Sequence, residues 1–356
     1  MASRSPLVVG VDAGGTSTRC VVATGDGEVL ARSRAGGANI RSARDPGGNL
    51  LRALTEALAA IGPAGGPGDV VAGVLGLAGA SAAGRRRSSE MSARAWRGAG
   101  LRGLPVVVPD ILVSFAGATP EPAGSALVAG TGAVAARIEH REMVRRCDGY
   151  GWLLGDEGSG VWIGRRAAQA ALTALDGRGA PTALTHRVLP ALLGGPFPGP
   201  PPEDRDTPRE SEAGPLGDAG APPEGEALAQ AIIAAVYDGE PARLGLLSPV
   251  VETAAREGDR VARAILRDAA RALLRTLDGL GPAVPGQPVV LAGSLLTNPT
   301  TVAAQVGKAL TGRPVLLARD GAAGAAALAL RAAAESGRLP LAPSALETAH
   351  RRLLAS

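Results

Sequence analysis

The 356-residue chain is long enough for two domains of about 150 residues. With 46% hydrophobic and 20% charged residues it can bury a sizeable core, yet aromatics reach only 2%, so alanine, valine, leucine and glycine must fill it. The net charge of +4 rests on arginine, with a single lysine at Lys308; the basic clusters at 85–87, 145–146 and 165–166 are flanked by helical or turn sequence and poor in aromatics, read as solvated surface, and argue against a nucleic-acid partner. No run of 18 uncharged apolar residues occurs and no signal-type segment precedes the first motif, which predicts no membrane partner. Cys20 and Cys147 have neither metal nor disulfide spacing, so the sequence points to a reducing, cytoplasmic location.

In chain order, residues 6–12 form an apolar run ending on Asp12, followed by the turn Ala13-Gly14-Gly15-Thr16 and strand-like runs at 19–23 and 28–33. These predict three antiparallel strands joined by tight turns. Leu51, Leu54, Leu58 and Ile61 have helical spacing, 70–77 is a buried strand, and an arginine-bearing helix runs to about Gly98. A strand at 105–110 ends on Asp110 and a helix follows over 111–118. The pattern then restarts. Strands are predicted at 125–130 and 133–138 around Thr131-Gly132, helices over 157–176, 182–193, 226–237 and 242–280, a strand at 288–293, a helix at 300–310, a strand at 314–318 and a helix at 322–334. Residues 195–225 are rich in Pro, Gly and charge and predict a disordered surface insertion. Two α/β halves that each open with a hairpin around a glycine turn imply a duplicated fold with a cleft between the halves.

Four constellations carry chemistry. In Asp12-Ala-Gly-Gly-Thr-Ser-Thr-Arg19, Gly14 and Gly15 allow close backbone approach, and consecutive N–H groups with the Thr16 and Thr18 hydroxyls suit phosphate oxygens. Asp12, at the strand end, could hold the Mg²⁺ that neutralises them. The bland alternative is an ordinary hairpin turn; neither a Walker loop nor a Rossmann glycine pattern is present. Gly130-Thr131-Gly132 repeats this turn in the second half, so two loops could hold opposite ends of a triphosphate. Asp110 is either a helix cap or a general base for a substrate hydroxyl, and the helix N-terminus predicts a low pKa for it. In Gly149-Tyr-Gly-Trp-Leu-Leu-Gly-Asp-Glu-Gly-Ser-Gly160, one of Asp156 and Glu157 should cap the next helix and the other could accept sugar hydroxyls.

With these residues in view, the chain resembles the superfamily that unites acetate kinase, sugar kinases, the seventy-kilodalton heat-shock proteins and actin. Within it, the chain is similar to the N-acetylglucosamine kinases and their relatives in the BadF/BadG-type ATPase family. The matching segments are DAGGTSTR, VVVPDILVSFAGA, VAGTGAV, GYGWLLGDEGSGVWIGR and VVLAGSLL, spread from Leu7 to about Ala329. The resemblance implies two ribonuclease H-like, actin-like ATPase domains of α/β class flanking a nucleotide and sugar cleft. It implies ATP and Mg²⁺ as cofactors, with Asp12 on the metal and Gly14, Gly15, Thr16 and Thr18 forming the first phosphate loop. Gly130, Thr131 and Gly132 match the second loop, and Gly293 with Ser294 the turn that packs on adenosine. Asp110 matches the base that deprotonates the sugar 6-hydroxyl, and Asn39, Thr131, Gly149 and Asp156 match sugar-lining positions together with it. Ala78-Gly79 and Ala133 stand where those kinases carry serines, which leaves the exact sugar open.

The implied function is an ATP-dependent kinase acting on N-acetylglucosamine or a related amino sugar. The alternatives are action on N-acetylmuramic acid or glucosamine, or a non-sugar ATPase. An iron–sulfur dehydratase activator would need a cysteine pair holding a cluster, which the 127-residue separation of Cys20 and Cys147 disfavours. A sugar-responsive regulator would need a DNA-binding domain ahead of Leu7. Domains are expected at 1–118, joined by a helix at 340–356, and at 119–339. A homodimer is left open as the assembly.

Overall fold

The computed structural model describes residues 5–40, 43–79, 84–194 and 224–356; all but the last two residues of the expected insertion at 195–225 lie outside them. The first sheet contains β1 (Leu7–Ala13), β2 (Ser17–Thr24), β3 (Val29–Gly36), β4 (Val70–Leu77) and β5 (Val106–Pro109), in the order β3-β2-β1-β4-β5. The second contains β6 (Gly124–Ala129), β7 (Ala133–Glu139), β8 (Glu142–Asp148), β9 (Val289–Ala292) and β10 (Val315–Leu317), in the order β10-β9-β6-β7-β8. In each, a three-strand antiparallel meander leads, its first strand pairs in parallel with one later strand, and that strand pairs in parallel with the last. The two sheets therefore share one topology, as a duplicated architecture requires.

Strand β8 was not foreseen. Its sequence, Glu142-Met-Val-Arg-Arg-Cys-Asp148, is mostly exposed at the sheet edge, so it lacks the apolar run that marks buried strands. Arg145 and Arg146 lie exposed on this strand, as a solvated surface requires, with a strand in place of the helical or turn sequence expected beside them.

Each sheet carries helices on both faces. Helices α1 (Pro46–Ala60) and α2 (Arg85–Gly98) bury Leu50, Leu54, Met91 and Trp96 against the outer face of the first sheet. On the second sheet, α4 (Gly160–Leu175), α7 (Leu247–Arg256) and α8 (Arg260–Asp278) build the outer core with α5 (Leu184–Leu193), α6 (Glu224–Tyr237) and α10 (Thr301–Ala309), while a single turn, α9 (Ser294–Thr297), follows β9.

The inner faces hold the two halves together by exchanging helices. Helix α3 (Asp110–Ala116) leaves the first sheet and packs Ile111, Leu112 and Phe115 on Ala126, Ala136, Ile138 and Val290 of the second. Helix α11 (Gly321–Glu335) leaves the second sheet and lies on Val8, Val21 and Val74 of the first. Its alanines make a flat ridge that brings backbone to backbone: a Cβ on Gly10 would stand 2.2 Å from the Ala322 carbonyl, and one on Gly324 2.2 Å from the Val113 carbonyl. Helix α12 (Pro343–Ala355) closes the layer through Ala349 and Leu353, and His350 donates its Nε2 proton to the Ala116 carbonyl at 2.7 Å.

Two measurements check this packing. Gly324→Val should destabilise by about 3 kcal/mol or more in chemical denaturation, since backbone on both sides cannot yield, whereas Gly307→Ala, in an open helical position, should stabilise by about 0.5–1 kcal/mol. Burial, with the nearby Arg331, Arg141 and Arg351 charges, pushes His350 down from 6.5 to about 4. The unfolded chain therefore takes up this proton first, so stability should fall as pH drops from about 6.5 to about 4, and His350→Gln should flatten that slope.

Candidate active site

Ligands in open α/β sheets bind beyond the carboxyl ends of the parallel strands, and here those ends of both sheets converge. Strand β10 stops at Leu317, and four residues later Gly321 already abuts Asp12 at the end of β1: a Cβ there would stand 2.5 Å from the Asp12 carboxylate. Asp110 begins α3 directly after Pro109, the last residue of β5, and its charge acts on Asp12, so these two strand ends form the floor of the candidate site.

The electrostatics of this floor are unusual for surface acids. Burial, reinforced by the charges of Asp110 and Asp320 and only partly opposed by Arg19, pushes Asp12 up to about 7. Burial also raises Asp110, outweighing the Ile111 N–H that donates to its Oδ1 at 3.0 Å. The low pKa expected from the helix N-terminus is therefore corrected: desolvation at the cleft floor exceeds the dipole effect. Asp110 is not the helix cap either, because Pro109 occupies that position. A buried carboxylate crowded by two like charges fits a cation. Among the described residues no group of three carboxylate, histidine or cysteine ligands gathers.

The first glycine turn is open to the cleft. Gly15 and Thr16 are exposed, Gly14 N–H bonds the Ser17 carbonyl at 2.9 Å, and the Ala38 N–H bonds the Gly14 carbonyl at 3.1 Å. The 37–39 segment thus lies against the turn, and it carries Asn39, whose side chain borders Gly79, two residues after β4. Thr18 does not join this loop. Strand alternation buries it completely, and its hydroxyl donates to the Gly36 carbonyl at 2.8 Å, so its expected phosphate contact is corrected to a structural bond between β2 and β3.

The second turn is built into its surroundings. Gly130 N–H closes on the Gly132 carbonyl at 2.9 Å, the Gly160 N–H of α4 bonds the Gly130 carbonyl at 2.8 Å, and Thr131 is exposed. Gly293 follows β9 with φ +83, where any Cβ would strike the Ala129 carbonyl at 2.3 Å, and a Cβ on Gly130 would come within 3.9 Å of Ser294. The 130–132 and 293–294 segments are therefore neighbours.

Asp156 stands beside the second turn, its carboxylate 2.9 Å from where a Gly132 Cβ would lie and accepting the Ala133 N–H. Burial raises its pKa. Neither Asp156 nor Glu157 caps α4, as was expected; Ser159 does so by accepting the Trp162 N–H at 3.1 Å. Gly149 packs on Val134 at the start of the same loop.

Two acids escaped the sequence reading. Asp148, buried with φ +63, accepts the Asp156 and Glu157 N–H groups at 2.8 Å each and so shapes the loop that presents Asp156. A polar residue ahead of a glycine is its only sequence signal. Asp320 caps α11 through the Ala322 and Ala323 N–H groups and pairs with Arg32 of β3; its Asp-Gly helix start was a legible cap signal.

Two duplicated halves, a glycine turn from each, and carboxylates at their shared floor define an actin-like ATPase fold. The chain belongs to the BadF/BadG/BcrA/BcrD ATPase family, whose model matches residues 9–329. It is 31% identical over 187 residues to an N-acetylmuramic acid/N-acetylglucosamine kinase of Clostridium acetobutylicum, a match covering 52% of this chain and spanning about 60% of that relative's length. In three dimensions it is similar to a Chromobacterium violaceum protein provisionally described as an N-acetylglucosamine kinase, at TM-score 0.68 and 26% identity over 91% of this chain and 99% of that one. A glucokinase of Streptomyces griseus from the ROK family, bound to glucose and AMPPNP, shares the fold at TM-score 0.51 and 19% identity, covering 91% of this chain and 99% of that one. No helix among the described residues is long and apolar enough to cross a membrane.

Asp148→Asn should cost about 1.5–3 kcal/mol, because a charged acceptor of two backbone N–H groups is lost, and should raise amide exchange across residues 150–157 as measured by hydrogen–deuterium mass spectrometry.

Proposed function

We propose that the protein is an ATP-dependent kinase that transfers the terminal phosphoryl group to the 6-hydroxyl of an amino sugar of the N-acetylglucosamine class. The observation that carries this reading is the pair Asp12 and Asp110, desolvated together where both sheets end. A phosphoryl transfer needs little covalent help from the protein; it needs alignment and charge management.

The chain's own residues divide that work. Gly15 and Thr16 would present backbone N–H groups and a hydroxyl to one side of the phosphates, and Thr131 and Gly132 would do so from the other, while the Gly14 and Gly130 N–H groups close the two turns. Gly293 and Ser294, adjoining the second turn, would take the adenosine end. Asp12 would hold Mg²⁺, which when bound neutralises phosphate charge. Asp110, its basicity raised by burial, accepts the proton of the attacking hydroxyl and holds that oxygen in line. Asn39, Gly149 and Asp156, with Thr131, would fix the sugar ring. The enzyme would work in the cytoplasm, where ATP is supplied. The oligomeric state, a homodimer included, has no bearing on this division of roles.

An amino-sugar panel in a coupled ADP-release assay tests the reading: N-acetylglucosamine or a close relative should accelerate ATP turnover far above the sugar-free rate. Asp110→Asn should lower that sugar-dependent turnover at least about 100-fold while nucleotide affinity stays within about twofold. Near-normal turnover in this variant would refute the base assignment.

A further inference from the structure

The antiparallel pairing of β7 with β8 sets Arg146 opposite Ala136 and Cys147 opposite Ala135. Side chains alternate across a strand and paired residues share a face. Ala136 is buried under Ile111 and Phe115 of α3, the helix that starts at Asp110, whereas Cys147 packs on the outer core. Arg146 therefore projects from the face that α3 covers, on an edge strand, two residues before Asp148 and the loop that carries Asp156.

Its neighbours are those of the expected sugar site. The guanidinium sits 5.6 Å over the centre of the Tyr150 ring, a separation that supports a cation–π contact. Tyr150 in turn lies against Gly155, where an added Cβ would meet its ring at 3.2 Å, and Asp156 follows directly. The charge of Arg146 is felt at Asp156. Among the described residues Arg146 forms no hydrogen bond or ion pair, and Tyr150 is 60% exposed. Three backbone bonds to Asp148 and the Arg165 bond to the Trp152 carbonyl at 3.1 Å keep this loop in place. An oriented guanidinium on an aromatic support, with its N–H fork unused, is suited to a carboxylate.

We propose that Arg146, backed by Tyr150, is the residue that recognises a carboxylate carried by the sugar and so decides between acidic and neutral amino sugars. This inference rests on the kinase reading above. The reacting hydroxyl goes to Asp110, and the acidic substituent, on the part of the ring held by Asp156, goes to Arg146. Arg146 is a specificity determinant and takes no part in the transfer itself.

The test compares steady-state kinetics on N-acetylglucosamine and N-acetylmuramic acid for the wild-type chain and for Arg146→Gln, Arg146→Lys and Tyr150→Ala. The wild type should phosphorylate both sugars. Arg146→Gln should raise KM for N-acetylmuramic acid about tenfold, the scale of one lost charged hydrogen bond, while kcat, KM for N-acetylglucosamine and KM for ATP stay within about twofold. Arg146→Lys should recover part of the loss, and Tyr150→Ala should weaken the acidic sugar alone. Turnover of N-acetylglucosamine without turnover of N-acetylmuramic acid would overturn the proposal and leave the kinase reading intact. An equal effect on both sugars, or a rise in KM for ATP, would also overturn it. If neither sugar accelerates turnover, both readings fall.

Discussion

The structure depends on one close contact: helix α11 lying backbone-to-backbone on the first sheet and on α3. Gly10 and Gly324 leave no room for side chains there, and the row of alanines from Ala322 to Ala329 keeps the approach uniform. Because α11 grows out of the second sheet, the same contact that buries its alanines delivers Gly321 to the Asp12 carboxylate. Because α3 grows out of the first sheet and is buried in the second, Asp110 is fixed at the same floor. Packing and chemistry are thus set by one interface. A larger residue along α11 would disturb both, since dense interiors transmit strain.

That interface also explains why two carboxylates remain close in a desolvated place. Burial raises the proton affinity of both Asp12 and Asp110, and the charge of Asp110 raises that of Asp12 further. The fold accepts this because packing elsewhere holds the strand ends. Asp320 adds to the arrangement by capping α11 while paired with Arg32, so one side chain joins the helix start to the first sheet. Strain of this kind at a cleft is a mark of function more than of stability.

Much of the fold could be read from the sequence because its buried strands announce themselves: Leu7-Val-Val-Gly-Val, Val70 to Leu77 and Val289-Val-Leu-Ala are short apolar runs bounded by turns. The duplicated opening hairpins were legible for the same reason. Strand β8 was not, since an edge strand exposes charge and loses the alternating pattern. The exchange of α3 and α11 was invisible as well, because a helix's own residues show that one face is apolar but not which sheet will cover it. Within the site, Asp12, Asp110 and both glycine turns were singled out by their place after a strand, and Asp156 by its glycine-rich segment ahead of a helix. Thr18 misled because a hydroxyl in a glycine-rich segment looks like a ligand, and strand pleat alone decided that it faces Gly36. Asp148 acts through its carboxylate on backbone N–H groups eight and nine residues away, a relation that spacing does not reveal.

The central claim is that one cleft, floored by Asp12 and Asp110, holds a nucleotide and a sugar end to end. The most direct measurement is a crystal structure of the chain with a non-hydrolysable ATP analogue, Mg²⁺ and N-acetylglucosamine. The account predicts the terminal phosphate between the 14–16 and 130–132 turns, with the sugar 6-hydroxyl within hydrogen-bond reach of the Asp110 carboxylate. A nucleotide bound away from either turn, or a sugar hydroxyl that approaches some other base, would contradict it.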